Sequence, residues 1–253
     1  LKLLVSVATA EDARSAVAGG ADIIDAKDPE RGAMGAVSAD VLREIIAAVG
    51  EARPVSAALG DLKVGNRESG LGNREGAARV PSPECRIPIP GLSFAKFGFA
   101  CNVGSADAAA LARAVTGESN CPVVLVAYAD QGLDPFVVID LAATVGAAGV
   151  LLDTANKRGP GLMALRDPWA LRAWITAAHD AELTAAVAGR LTLDDVARVA
   201  TLGADLAGVR GAACEGARTG RVTALRVRAL AAAAAAQLPA TIAWNDDAER
   251  IGA

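Results

Sequence analysis

Short runs of Leu, Val, Ile and Ala alternate along this chain with longer Ala-rich segments whose apolar residues recur at helical spacing. Alternation of this kind is the pattern of βα units laid around a parallel sheet. The strands it predicts are 2–7, 22–26, 54–58, 93–97, 122–127, 148–152, 184–188 and 206–209. Eight βα units predict an α/β fold closed into a single (β/α)8 TIM barrel, because doubly wound sheets more often hold five or six strands.

Helix boundaries carry recognisable chemistry. Thr9 with Asp12 and Thr192 with Asp195 have capping-box spacing, and Asp134-Pro135 and Asp167-Pro168 place an N-cap acceptor before a proline that needs no donor. Gly19, Gly50, Gly117, Gly146 and Gly203 fall where left-handed C-caps are expected. Three related phrases, GGADIIDAKD from Gly19, GAAGVLLDTANK from Gly146 and GADLAGVRG from Gly203, each read as helix end, buried strand and polar exit. Two stretches fit less well. Between Gly60 and Gly91 the prolines Pro81, Pro83, Pro88 and Pro90 argue against a regular third helix. An Ala-rich helix including 231–236 is expected to close a catalytic barrel domain of residues 1–238, leaving 239–253 as a C-terminal tail.

Composition removes chemistries. A formal net charge of −4 argues against nucleic-acid and anionic-membrane partners. With His179 as the single histidine, a His-rich metal site is excluded, and Cys85, Cys101, Cys121 and Cys214 have no CxxC spacing. No metal site is therefore expected, and reduced cysteines point to a cytoplasmic location. Glu11 and Asp12 interrupt any early signal peptide, and no apolar run reaches the ~20 residues of a membrane span. His179, late in a helix, and Trp169 and Trp174 on the same helix read as structural groups; Cys214 has no histidine to activate it.

Barrel chemistry collects at the C-terminal ends of the strands. The residues placed there are Ser6, Asp25 and Lys27, Gly60 and Asp61, Lys96, Tyr128 and Asp130, Asp153 and Lys157, Gly189 and Arg190, and Arg210 to Ala212. Twenty of the 25 basic residues are Arg, yet three of the five lysines fall on this rim. Asp25 and Lys27, two apart on a strand, point the same way; such a pair is either a solvated salt bridge or an acid/base pair around a nucleophile. Three converging lysines would depress one another's pKa and suit Schiff-base capture of aldehydes or ketones. The last two strand exits, AGRLT with Gly189 and Arg190 and VRGAAC with Arg210, Gly211 and Ala212, are candidates for binding substrate phosphate beside Ser6.

At these residues the chain resembles the (5-formylfuran-3-yl)methyl phosphate synthase family of methanofuran biosynthesis. The matching blocks are LLVSVATAEDARSAVAGGADIIDAKDPERGAMGA, FAKFG around Lys96, LLDTANK around Asp153 and Lys157, and AGVRGAAC near Arg210. The resemblance covers nearly the whole barrel and departs over 60–91. It implies a lyase that condenses two glyceraldehyde 3-phosphate molecules into a furan phosphate without metal or organic cofactor. It also places the family's Schiff-base lysine on Lys27, its proton-accepting lysine on Lys96, its third site lysine on Lys157 and its aspartates on Asp25 and Asp153. A class I aldolase or isomerase of sugar phosphates and a non-catalytic phosphometabolite sensor are the alternatives; oligomeric state stays open.

Overall fold

In the computed structural model, residues 1–64, 78–79 and 91–236 are described. Among the described residues nine strands run in the order β1 (Lys2–Val7), β2 (Ile23–Ala26), β3 (Val55–Val64), β4 (Ala78–Arg79), β5 (Leu92–Phe99), β6 (Val123–Tyr128), β7 (Gly149–Asp153), β8 (Thr184–Val187) and β9 (Leu206–Val209). The helices between them are α1 (Ala10–Gly19), α2 (Ala39–Val49), α3 (Ser105–Glu118), α4 (Pro135–Val145), α5 (Leu162–Leu165), α6 (Pro168–Asp180), α7 (Leu193–Leu202) and α8 (Ala224–Ala235). All strands except β4 pair in parallel in the ring order β2-β1-β9-β8-β7-β6-β5-β3, and β2 pairs with β3 to close it. The fold is a (β/α)8 barrel; β4 is an antiparallel appendage to the outer end of β3.

Alternation along the strands separates two cores. Leu3, Val5, Val7 and Ile24 face the helices and join the large layer between barrel and helices. Leu4, Ile23, Ala58, Val126, Leu151 and Leu206 point the other way and fill the barrel interior. The inward positions turn polar toward the strand ends, so the sequence period that makes the core also sets the site.

Caps agree with the sequence in kind. Asp134 and Asp167 cap α4 and α6 before their prolines, and Thr192 and Asp195 form a reciprocal capping box. Gly146 and Gly203 take the left-handed C-cap, but on α1 that role belongs to Gly20 at φ 91°, and Gly117 lies inside α3, whose C-cap is Ser119. Gly60 and Asp61 do not follow the third strand: β3 continues through them to Val64. The expected break between Gly60 and Gly91, and the tail 239–253, lie mostly or wholly outside the described residues. Trp174 is buried and donates from Nε1 to the Pro135 carbonyl at 3.2 Å, whereas Trp169 is 68% exposed. The buried stripe of α6 is Leu171, Trp174, Ile175 and Ala178. Trp169, two residues before that stripe, is turned to the opposite face. His179 pairs with Asp205 Oδ2 at 2.9 Å on the side away from the strand exits. No helix among the described residues is long and apolar enough to cross a membrane.

Candidate active site

Two strand ends carry a fully buried carboxylate, Asp25 and Asp153. Asp25 stands in register with Ser6 on β1 and Ser56 on β3, and its oxygens accept from Ser6 Oγ at 2.8 Å and Ser56 Oγ at 2.9 Å. Lys96 Nζ lies 2.6 Å from Asp25 Oδ1. A carboxylate with no solvent exposure is tolerated because a cation and two hydroxyl donors replace its water.

The second group gathers on Asp153 at the end of β7. Its Oδ1 accepts from Lys157 Nζ at 2.5 Å and from the Thr154 amide at 2.7 Å, while Lys27 Nζ is 3.8 Å from Oδ2. Burial pushes the Asp153 carboxyl up, but Lys157 and then Lys27 outweigh it and hold the pKa below its ordinary value. Lys27 behaves differently. Desolvation brings its amine down to about 7, with Lys157 and Lys96 pushing the same way against the pull of Asp153 and Asp25. An amine with that pKa is roughly half neutral near pH 7, against about one in three thousand for an ordinary lysine. Lys96 and Lys157 each hold a close carboxylate; Lys27 holds only a loose one, which leaves its lone pair available.

A cavity of about 650 Å³ connects this group to the exits of β8 and β9 and descends into the barrel past Leu4, Leu151 and Ala186. Ser6, Lys27, Lys96, Asp153 and Lys157 line it beside Gly189, Arg190, Gly211 and Ala212. Gly189 has φ 108° and packs so closely on Thr154 and Leu162 that a side chain would crowd both. Arg190 is exposed at the rim. Arg210, read from sequence as a phosphate donor, is engaged elsewhere. Its Nε donates to the Arg218 carbonyl at 2.8 Å, Nη1 to the Ser6 carbonyl at 3.0 Å and Asp12 Oδ2 at 3.3 Å, and Nη2 to the Gly220 carbonyl at 3.3 Å. It clamps the β9 exit to β1, and Arg190, Arg218 and Arg226 are the other guanidinium groups lining the cavity. Arg218 in turn donates to the carbonyls of Pro29 and Gly32, tying down the loop that follows Lys27.

Sequence reasoning left two contributors unassigned. Ser56 is a serine among the apolar residues that begin β3, and its inward parity was the available signal. Tyr128 and Asp61 were noted as strand-end residues but not as a pair; Tyr128 donates to Asp61 Oδ1 at 2.5 Å.

Residues 3–231 match the family model described as 4-HFC-P synthase. The chain is 36% identical over 223 residues to the (5-formylfuran-3-yl)methyl phosphate synthase of Methanopyrus kandleri, covering 85% of this chain and 90% of that one. It is 31% identical over 231 residues to the enzyme of the same name from Methanosarcina barkeri, covering 88% of this chain and 94% of that one. Among solved structures, a 3-hexulose-6-phosphate synthase superposes with a TM-score of 0.56 at 20% identity, over 92% of this chain and 99% of its own. Phosphoribosyl anthranilate isomerase from Thermotoga maritima gives 0.60 at 13%, over 92% and 98%, so both likenesses speak to the barrel alone. With a family model spanning nearly the whole barrel and relatives above 30% identity along most of its length, the chain belongs to the 4-HFC-P synthase family.

Proposed function

We propose that this protein is a furan phosphate synthase of methanofuran biosynthesis. It condenses two glyceraldehyde 3-phosphate molecules into (5-formylfuran-3-yl)methyl phosphate, releasing phosphate and water, through an iminium on Lys27. The observation that supports this most is the contrast among the rim lysines: Lys27 is buried with a pKa of about 7 and no close carboxylate, while Lys96 and Lys157 are tightly paired. The family relatives' name supplies the product, a formylfuran methyl phosphate.

On this reading neutral Lys27 attacks the aldehyde carbon of one triose, and loss of water gives the iminium. Lys96, its own proton passed to Asp25 at 2.6 Å, takes the proton from the adjacent carbon and leaves an enamine. That carbon attacks the aldehyde of the second triose. Lys157, held by Asp153, stands on the other side of Lys27, where it supplies protons for elimination and dehydration. Arg190 and the Gly189 and Gly211 backbone at the cavity rim receive a phosphate.

Borohydride reduction in the presence of glyceraldehyde 3-phosphate should add a triose-derived mass to Lys27, and the wild-type protein should form an ultraviolet-absorbing furan. Lys27→Ala should lower turnover at least about 1,000-fold. An active protein with unmodified Lys27 would sink the proposal; an acyclic sugar phosphate as product would mark an aldolase or isomerase instead.

A further inference from the structure

We propose that Asp61, aimed by Tyr128, is a substrate-contacting carboxylate that accepts a hydrogen bond from a hydroxyl of the second triose, the one not carried by Lys27; this rests on the condensation proposed above. Three departures from regular barrel geometry converge on it. β3 gains one residue against β5 between Ala58, opposite Lys96, and Asp61, opposite Gly98, and Gly60 within this bulge has φ 105°. Without the bulge the inward position after Ala58 would fall to Gly60; the extra residue gives it to Asp61. On β5, a Cβ at Gly98 would overlap both Asp61 Oδ1 and the Tyr128 hydroxyl. Gly98 shares the inward parity of Lys96, so the Asp61 carboxylate stands one side-chain layer above the Lys96–Asp25 pair, outside the lining of the cavity that Lys96 enters. The third departure is Tyr128, the one tyrosine of the chain. It is buried in the interior core at the end of β6 and donates to Asp61 at 2.5 Å.

Burial and then the Asp61 charge hold the Tyr128 phenol well above its ordinary pKa. The phenol therefore stays neutral and commits its proton to Oδ1, leaving Oδ2 of a half-buried carboxylate to accept. A fixed acceptor selects donor groups, and on a triose phosphate these are hydroxyls. Its place in the barrel selects which triose. In ring order β3 stands four strands from β8 and β5 four from β9, across the mouth from the cavity rim that takes phosphate. The triose on Lys27 reaches toward that rim; the aldehyde it attacks lies on the Lys96 side, under Asp61.

The test compares wild type, Asp61→Asn and Tyr128→Phe for furan formation, for first-turnover borohydride trapping on Lys27, and for thermal unfolding. Asp61→Asn should keep trapping within about twofold and lose about 10- to 100-fold in kcat/KM for furan, the size of one hydrogen bond to a charged group. Tyr128→Phe, which removes one oxygen, should lose less in the same assay and decides the matter if Asp61→Asn does not fold. The single tyrosine allows a direct check: its phenolate absorbance should appear at lower pH in folded Asp61→Asn than in wild type. Unchanged furan formation, an equal loss of trapping and furan, or an unmoved tyrosine titration overturns the proposal. Wild-type protein that traps no triose and makes no furan overturns the parent reading together with it, an outcome no variant can imitate.

Discussion

At the scale of single residues, three lysines of one chemical type are given three environments. Asp25 takes the proton-bearing end of Lys96, Asp153 takes that of Lys157, and Lys27 is left between the two carboxylates with neither close. Its pKa of about 7 then depends on neighbours of both signs. Trapping of a triose on Lys27 should therefore rise with pH through a midpoint near 7. Lys157→Met removes a like charge and should move that midpoint up, while Asp153→Asn removes the strongest attraction and should move it down; the pH profile of borohydride adduct yield measures both. The same displaced proton has a stability sign. Between about 7 and the ordinary lysine value of 10.5 the unfolded chain binds a proton that folded Lys27 lacks, so this group's contribution to stability rises with pH across that window and is flat below it.

At the scale of elements, repetition made the fold legible and local irregularity hid part of the site. The phrases at Gly19 and Gly203 share more than a pattern: Asp22 Oδ2 accepts from the Leu3 amide at 2.7 Å and Asp205 Oδ2 from the Ala185 amide at 2.8 Å, each fastening a strand start to its neighbour. Apolar runs framed by such caps announce eight strands, and inward parity then selects Asp25, Lys96 and Asp153. The extension of β3 past Ala58 was not legible, because a bulge shifts parity by one residue and leaves no compositional mark beyond a glycine. Asp61 was therefore read as following a strand that in fact contains it. Arg210 shows the opposite limit: its position was right, but a long side chain at a strand exit can turn toward backbone as readily as toward a ligand. Its partner Asp12, expected only to cap α1, also accepts from the Val222 amide at 2.9 Å. Arg210→Met would leave that carboxylate buried without its cation, and should cost about 3 kcal/mol, or roughly 6–12 °C in Tm for a chain of this size. A phosphate ligand would behave otherwise, raising KM with little change in the melting curve, so calorimetry beside kinetics separates the two roles.

At the scale of the whole molecule, the charge is distributed against its own sum. The chain carries a formal −4, yet its cavity is lined by Lys27, Lys96, Lys157 and four arginines, with Asp153 the one carboxylate among the described lining residues. The excess acid thus lies away from the cavity lining, which is basic, and low-dielectric walls concentrate that field on the entrance. A triose phosphate, doubly charged near neutral pH, is drawn to such a mouth; an apolar or cationic aldehyde is not. Two consequences can be measured on the wild-type protein and one variant. Added salt screens the long-range part, so kcat/KM should fall several-fold between low ionic strength and about 0.5 M salt while kcat, read at saturation, changes little. Arg190 is exposed, with a left-handed backbone at φ 57° beside Gly189, which makes it the rim cation best placed to meet an incoming phosphate without unsettling the barrel. Arg190→Ala should therefore raise KM about tenfold, leave kcat and the Tm nearly unchanged, and flatten the salt dependence. A fall in kcat with KM preserved would instead place Arg190 at the reacting carbons, and a salt dependence as steep as wild type would mean that the steering charge resides deeper, on the lysines themselves.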